Sequence, residues 1–418
     1  ISVFRNIIVD TSIKIDIERL RQDILELGEI GATEEGGVSR PSFSKADLEA
    51  REWLKDRFRS AGLELRVDGA GNIFGRMPGE GRTVMAGSHI DSVINGGKFD
   101  GPAGVLSALE CLRRIREESI PVSKPLEVAA FTDEEGNLVG DFLGSRAFTG
   151  TLVREALEKS LTQFGVPLKD ILKNTEYSLD SILQAAADQP ELEAFLELHI
   201  EQGPVLETEE RTIGIVDVIA GKNYWMCCLT GKAGHAGTTP FELRQDAFLG
   251  LADFALKSTQ YVATQHYGSM LTFGRVQLYP GTFSIVPGGA EFTMDFRSTS
   301  GETLRELKKT LTSKALDTAM TRGLTFNAKT MDETEPVRAP ERLLKLLKDT
   351  SEQLGYPYMT LPSGAGHDAQ ILSSVTDSAM VFIPCENGVS HSPQENILWE
   401  DLEKGTDLLL HALVQLAE

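Results

Sequence analysis

The sequence predicts an α/β protein: a main domain with a mixed, largely parallel sheet flanked by helices, and a smaller α+β domain inserted into it. Three observations carry this expectation. Short apolar runs alternate with amphipathic helical stretches early in the chain, the pattern of a sheet with parallel pairing. From about residue 212 longer strand-like runs dominate, and past about 330 the first pattern returns. At 418 residues the chain is also too long for one ordinary core. The expected division is 1–211 with 331–418 for the main domain and 212–330 for the insert.

The elements follow in order. In "SKADLEAREWLKDRFRSAG", Ser44 caps a helix with Asp47 in its first turn; Ala50, Leu54, Phe58 and Ala61 share a face, and Gly62 ends it. "LELRV" alternates as a strand and "TVMAGSHI" is a short apolar strand. "GVLSALECLRRIREES" reads as an amphipathic helix and "PLEVAAFT" as a buried strand, while 151–195 is polar and helical in character. In the insert "RTIGIVDVIAG", "NYWMCCLTG", "SMLTFGRVQLYPG" and "AEFTMDFRST" are strand-like, with helices at "RQDAFLGLADFALKST" and "GETLRELKKTLTSKALDTAMTRG". A helix at "RAPERLLKLLKDTSEQLG" and a last amphipathic helix close the chain.

Composition narrows the classes of function. Hydrophobic residues make up 41% and charged residues 25%, as in a water-soluble globular protein. No uncharged apolar run approaches the roughly 20 residues that span a bilayer, so no membrane partner is expected. A net charge of −21 argues against nucleic acid, which wants a basic face. An anionic ligand would need a local arginine. Cys111, Cys227, Cys228 and Cys385 form no CxxC pair and read as reduced, mostly buried thiols of a cytoplasmic protein, with Cys227 and Cys228 on opposite faces of a strand. The opening "ISVFRNIIVDTSIKID" has no continuous signal-type apolar core, and its lack of an initiator methionine is compatible with a removed leader.

The chemistry concentrates where apolar strands end. "GSHIDSVINGGKFDGPAGV", at 87–105, holds His89, Asp91 and Asp100 among five glycines. If the strand continues past His89, Asp91 shares its face and holds the second imidazole nitrogen, as around metal-bound histidine. Glycine on both sides of Asp100 lets its carboxylate reach inward. "FTDEEGN" places Glu134 and Glu135 at another strand end, where one could bind metal and the other handle protons. His199 in "ELHIEQGP" and His391 in "GVSHSPQE" also follow apolar runs. Singly, each reads as a satisfied histidine or a solvated acid; together they point to a metal centre. Imidazole and carboxylate donors without thiolate suit Zn²⁺, Mn²⁺, Co²⁺ or Ni²⁺, and with one carboxylate shared they would hold two divalent ions.

These stretches, with "LGSRAFTG", "HIEQGPVLE", "GKAGHAGTTP", "FTMDFR", "SGAGHDAQ" and "SHSPQE", run in order from about residue 30 to the C-terminus. The chain thereby resembles the N-carbamoyl-L-amino acid hydrolase, allantoate amidohydrolase and β-ureidopropionase branch of the M20-type dinuclear metallo-amidohydrolases. The resemblance implies His89, Asp100 and His199 on one metal, and Asp100, Glu135 and His391 on the other, with Asp100 bridging. It implies Glu134 as general base and an inserted lid that makes a homodimer. Arg297 would clamp a substrate carboxylate, and His235 would stabilise the oxyanion, reaching into the partner subunit's site. Gln202 and His367 would be further pocket residues. The plain alternatives are an ion pair for Arg297 and a loop-structuring role for His235.

Two departures from the family pattern concern the substrate. "EEG" continues "NLVGDFLGS", so Asn137, Leu138 and Val139 replace a small residue, arginine and phenylalanine. Ser284 in "FSIVPGG" stands where the family places asparagine, and one hydroxyl cannot reproduce an amide's donor and acceptor. The expected reaction is hydrolysis of an N-carbamoyl-L-amino acid to amino acid, ammonia and carbon dioxide, by a metal-activated water with Glu134 as base. Allantoate or another ureido acid, N-acyl amino acids or dipeptides, and a non-catalytic ligand-binding role are the alternatives.

Overall fold

The structure, a computed structural model, describes residues 12–162 and 164–418, so most of the N-terminal stretch read for a leader lies outside the described residues. It divides into two compact units. One runs to Asp217 and takes in Ala339–Leu361 and His367–Glu418; the other holds Val218–Arg338 and Pro362–Gly366.

The strands of the first unit begin with β1 (Glu64–Val67), β2 (Ile73–Met77), β3 (Thr83–His89), β4 (Leu126–Phe131), β5 (Leu192–Ile200) and β6 (Ile213–Ile219). The second unit supplies β7 (Gly221–Thr230), β8 (Gly234–His235), β9 (Met270–Tyr279), β10 (Ile285–Val286), β11 (Gly289–Ser298) and β12 (Thr325–Thr334). β13 (Val337–Arg338), β14 (Tyr358–Ser363) and β15 (Ser378–Ile383) complete the set among the described residues.

The large sheet has the order β1-β2-β4-β3-β5-β15-β6-β13, with β14 on β6. Its centre is parallel: β4 with β3, β3 with β5, and β5 with β15. Its flanks are antiparallel, because β1 and β2 form a hairpin with no helical crossover and β6 runs against β15. β3, β4 and β15 are buried along their whole length, as strands covered on both faces must be. The helix Pro102–Glu117 packs on β3, β4 and β5, and the last helix, Trp399–Ala417, packs on that helix, β5 and β15. Ser44 caps the helix Lys45–Ser60 through the N–H of Asp47, as its position predicts.

The second unit is a four-stranded antiparallel sheet, order β12-β7-β11-β9, with the helices Ala247–Gln265 and Gly301–Thr321 on one face. Along β11 the burial alternates residue by residue, so one face meets the helices. Phe254, Phe292 and Phe296 fill that core. The boundaries differ from the sequence expectation. β6, read as part of the insert, joins the large sheet, because Gly214–Val216 pair with β15. The insert extends to Arg338 because β12 pairs with β7 through Thr334.

Candidate metal centre

Four parallel strands deliver their carboxyl ends to one place, where ligands gather in open α/β sheets. His89 is the last residue of β3 and His199 the penultimate residue of β5; Glu134 and Glu135 follow β4, and His391 follows β15. Asp100 comes from the loop between β3 and the helix Pro102–Glu117. Gly101 stands there at φ +84, and a Cβ on it would lie 2.5 Å from the His89 ring, so the loop can close over the imidazole only with glycine.

Asp100 lies between the imidazoles. Its Oδ1 is 3.2 Å from His199 Nε2 and 3.8 Å from His89 Nε2; its Oδ2 is 3.1 Å from His391 Nε2. Glu135 is 3.4 Å from His391 Nε2, and Glu134 is 3.6 Å from His89 Nε2. The donor atoms of His89, Asp100 and His199 fall within 4.8 Å of one another, and so do those of Asp100, Glu135 and His391. His89, His199 and Asp100 are buried, whereas His391 opens the second group to solvent.

The tautomers follow from the backbone. His89 Nδ1–H donates to the carbonyl of Asp91 at 3.0 Å, and His199 Nδ1–H to that of Ile200 at 2.9 Å. In the neutral rings both Nε2 atoms are then acceptors, buried without a hydrogen-bond partner and facing a carboxylate. Lone pairs aimed at an anion in a dry site call for a cation between them, and the all-N/O donor set fits a divalent metal. The electrostatics show the same demand. At His199 burial favours the neutral ring, but Asp100 and Glu197 beside it lift it to about 9. Burial depresses His89 to about 4. Burial also opposes ionisation of Asp100, yet His199 and His391 hold it well below the usual carboxylate range. Burial, then Glu135 and Asp368, push Glu134 well above that range; burial and Asp100 do the same to Glu135.

One expectation is corrected. Asp91 does not hold the second nitrogen of His89 through its side chain, whose oxygen is 3.7 Å away. β3 ends at His89, the chain turns, and the backbone carbonyl of Asp91 takes that position instead. The carboxylate accepts the N–H groups of Glu134 and Glu135, both at 3.3 Å, and so fixes the paired glutamates. Burial and neighbouring Asp47 push Asp91 to about 7.

Gln202 and His367 also lie in this cluster. Gln202 donates to Asp100 Oδ2 at 2.8 Å, and its own Oε1 is buried without a partner. The His367 ring meets that of His199 edge-on at 4.6 Å. Asp133, Gln202 and His391 all adopt positive φ without being glycine, backbone strain of the kind that gathers at functional sites. Asn137 and Leu138 are buried; the Leu138 N–H binds the Asp133 carboxylate, and its side chain joins a satellite core with Phe43 and Leu143. In the structure the departure in "NLV" is thus a matter of packing at Leu138.

His235, Ser284 and Arg297 belong to the second unit. β8 pairs with β10, setting His235 opposite Ile285, and the Ala236 N–H donates to the carbonyl of Ser284 at 2.8 Å. Ser284 stands at φ +66, a conformation asparagine tolerates better than serine. Arg297 has an internal partner: Nε and Nη2 bind Asp295, two residues along the same strand face, and Nη2 also binds Tyr224 Oη at 2.9 Å.

Residues absent from the sequence reading support the cluster. Arg51 is buried against Asp47, Gly71 and Thr132; Arg40 is buried against the carbonyls of Leu27, Ile30 and Ile90. Glu197 accepts from Ser88 and from the N–H of Ala369, and Glu395 accepts from Phe99 and Asp100. Asp368 and Glu395 sit inside recognised motifs, but nothing local marks any of these charges as buried.

An α/β sheet carrying clustered imidazoles and carboxylates at its carboxyl edge defines a metal-binding hydrolase. Residues 85–415 match the family described as Peptidase family M20/M25/M40, and the chain belongs to it. It is 38% identical over 405 residues to an N-carbamoyl-L-amino acid amidohydrolase of Geobacillus stearothermophilus, covering 96% of this chain and 98% of that one. It is 34% identical over 411 residues to an allantoate amidohydrolase of Escherichia coli, covering 96% and 99%. The crystal structure of an amidase of the hydantoinase/carbamoylase family from Burkholderia multivorans superposes with a TM-score of 0.87 at 33% identity, covering 97% and 99%.

Proposed function

We propose that the chain is a dinuclear metal-dependent amidohydrolase that cleaves the linear ureido C–N bond of N-carbamoyl-L-amino acids. The observation that carries this reading is Asp100, whose two oxygens face different imidazoles with Glu134 alongside. One divalent ion would be held by His89, Asp100 and His199, the other by Asp100, Glu135 and His391; Zn²⁺ and Mn²⁺ are the first candidates, with Co²⁺ and Ni²⁺ suited to the same donors. Bound there, the ions would acidify a water and polarise the scissile carbonyl. Glu134 takes the proton from the attacking water and returns it to the leaving nitrogen. Asp91 keeps that base in place through two backbone N–H groups. The buried, unpartnered Oε1 of Gln202 is suited to accept a ureido N–H, and His367 walls the pocket beside His199.

From the second unit Arg297, oriented by Asp295 and Tyr224, would take the substrate carboxylate, and His235 the oxyanion. Tyr267, Phe283, Leu256 and Met320 are largely exposed there, which favours a homodimer formed through this unit. Free cysteines agree with a cytoplasmic location, and among the described residues no helix is long and apolar enough to cross a membrane. The second reading is an allantoate amidohydrolase, supported by the similarity to the Escherichia coli enzyme of that name, while Ser284 in place of the family's asparagine leaves the substrate open.

The test is metal-reconstituted protein given N-carbamoyl-L-amino acids, allantoate, N-acyl amino acids and dipeptides, with products identified by mass. Ammonia released fastest from the N-carbamoyl-L-amino acids is expected. Preference for allantoate selects the second reading, and amine release from acyl substrates alone overturns both. No turnover by the loaded protein leaves a ligand-binding role.

A further inference from the structure

We propose that Glu395 is a positioning residue that fastens the loop carrying Asp100 to the loop carrying His391, and so sets the spacing of the two ion positions; the inference rests on the two-ion reading above. Glu395 is only 6% exposed. Its Oε1 accepts the backbone N–H groups of Phe99 at 2.9 Å and Asp100 at 3.1 Å. Its Oε2 lies 3.1 Å from the hydroxyl of Ser390, which is itself 2.9 Å from Asp100 Oδ2. Ser390 has one proton and serves one carboxylate at a time, but either choice ties the residue before His391 to the Asp100 loop.

The two loops need such a tie. β3 stops at His89 and the next helix starts at Pro102; β15 stops at Ile383 and the last helix starts at Trp399. Asp100 and His391 therefore both lie outside the long elements that fix His89 and His199. The contact is not local loop structure, since the partners are 296 and 295 residues apart in sequence. It is also close: a Cβ on Gly97 would sit 1.9 Å from the Glu395 carboxyl carbon, so Gly97 is what admits the acid to the loop. Its Oε1 is committed to two backbone N–H groups and its Oε2 faces Ser390, so Glu395 acts through Asp100 rather than on substrate.

Mn²⁺ titration followed by electron paramagnetic resonance reads the spacing directly, because two ions sharing a carboxylate give an exchange-coupled spectrum. The native chain should bind two ions and show it. Glu395→Ala should retain one ion, bind the second about 10–100-fold more weakly and lose the coupled spectrum. Glu395→Gln should restore both, since its amide oxygen accepts the same two N–H groups and its nitrogen can donate to Ser390. Gly97→Ala displaces the carboxylate without removing it and should reproduce the loss, which keeps the test alive if Glu395→Ala does not fold; near-ultraviolet circular dichroism checks that point. A native coupled spectrum in Glu395→Ala or Gly97→Ala overturns the proposal alone, as does equal loss in Glu395→Gln. A native chain that binds a single ion overturns the two-ion reading and this inference with it.

Discussion

Glu134 sits 3.6 Å from His89 Nε2 with its carboxyl group held toward the protonated form by burial, Glu135 and Asp368. A group that must take and then return a proton gains from that poise. Glu134→Gln removes the proton carrier and keeps the shape, so kcat should fall about 10²–10⁴-fold while metal content by elemental analysis stays native; near-native turnover would exclude Glu134 as the base. Arg297 offers a different contrast, because its bidentate edge already faces Asp295. If the guanidinium also takes a substrate carboxylate, Arg297→Ala should lose about 1.5–3 kcal/mol of binding, seen as a rise in KM of roughly 10–100-fold. An unchanged KM would make the Asp295 pair structural.

At the scale of elements, the site depends on how closely the helix Pro102–Glu117 lies on the sheet. A Cβ on Gly104 would come 2.3 Å from the carbonyl oxygen of Leu198 and 2.8 Å from Ser88 Cβ, next to the residues that end in His199 and His89. Gly104→Ala should therefore cost about 1–3 kcal/mol in urea unfolding and also weaken metal binding; loss of stability with native metal affinity would separate the helix seat from the site. Much of this level is legible in the sequence. The strands that bring His89, Glu134, Glu135 and His199 together are apolar runs with a polar stop, and Asp100 and His391 announce themselves by glycine and histidine in short motifs. Period-2 spacing sets Asp91 on the face of His89 only in a strand that continues, and β3 stops at His89. β6 reads as part of the insert because its partner in the large sheet, β15, is remote in sequence. Arg40, Arg51 and Glu395 look like surface charges until long-range packing buries them.

For the whole molecule, the buried acids set a pH dependence. Asp91 and Glu395 are each raised to about 7, and an acid whose folded value exceeds its unfolded one stabilises the fold below the unfolded value and loses that contribution as pH rises. His199, raised to about 9, acts in the same direction at higher pH, whereas His89, lowered to about 4, loses its contribution as pH falls from about 6.5. In EDTA the melting temperature should decline from pH 5 to pH 8, and divalent metal should flatten the decline; a rise over that window would contradict the charge balance described. Sedimentation velocity should give a dimer, dissociated by Leu256→Lys with Met320→Lys; a monomeric native chain would remove the dimer from the proposal. The strand order also has a temporal side. β15 lies between β5 and β6 yet is made long after both. At about 5–20 residues per second, a ribosome leaves β5 with an open edge for on the order of 10–40 s, while the second unit is still emerging. Until β15 closes that edge the nascent chain displays an apolar strand to its neighbours, so its yield in a cell should depend on chaperone capacity more than its final stability suggests.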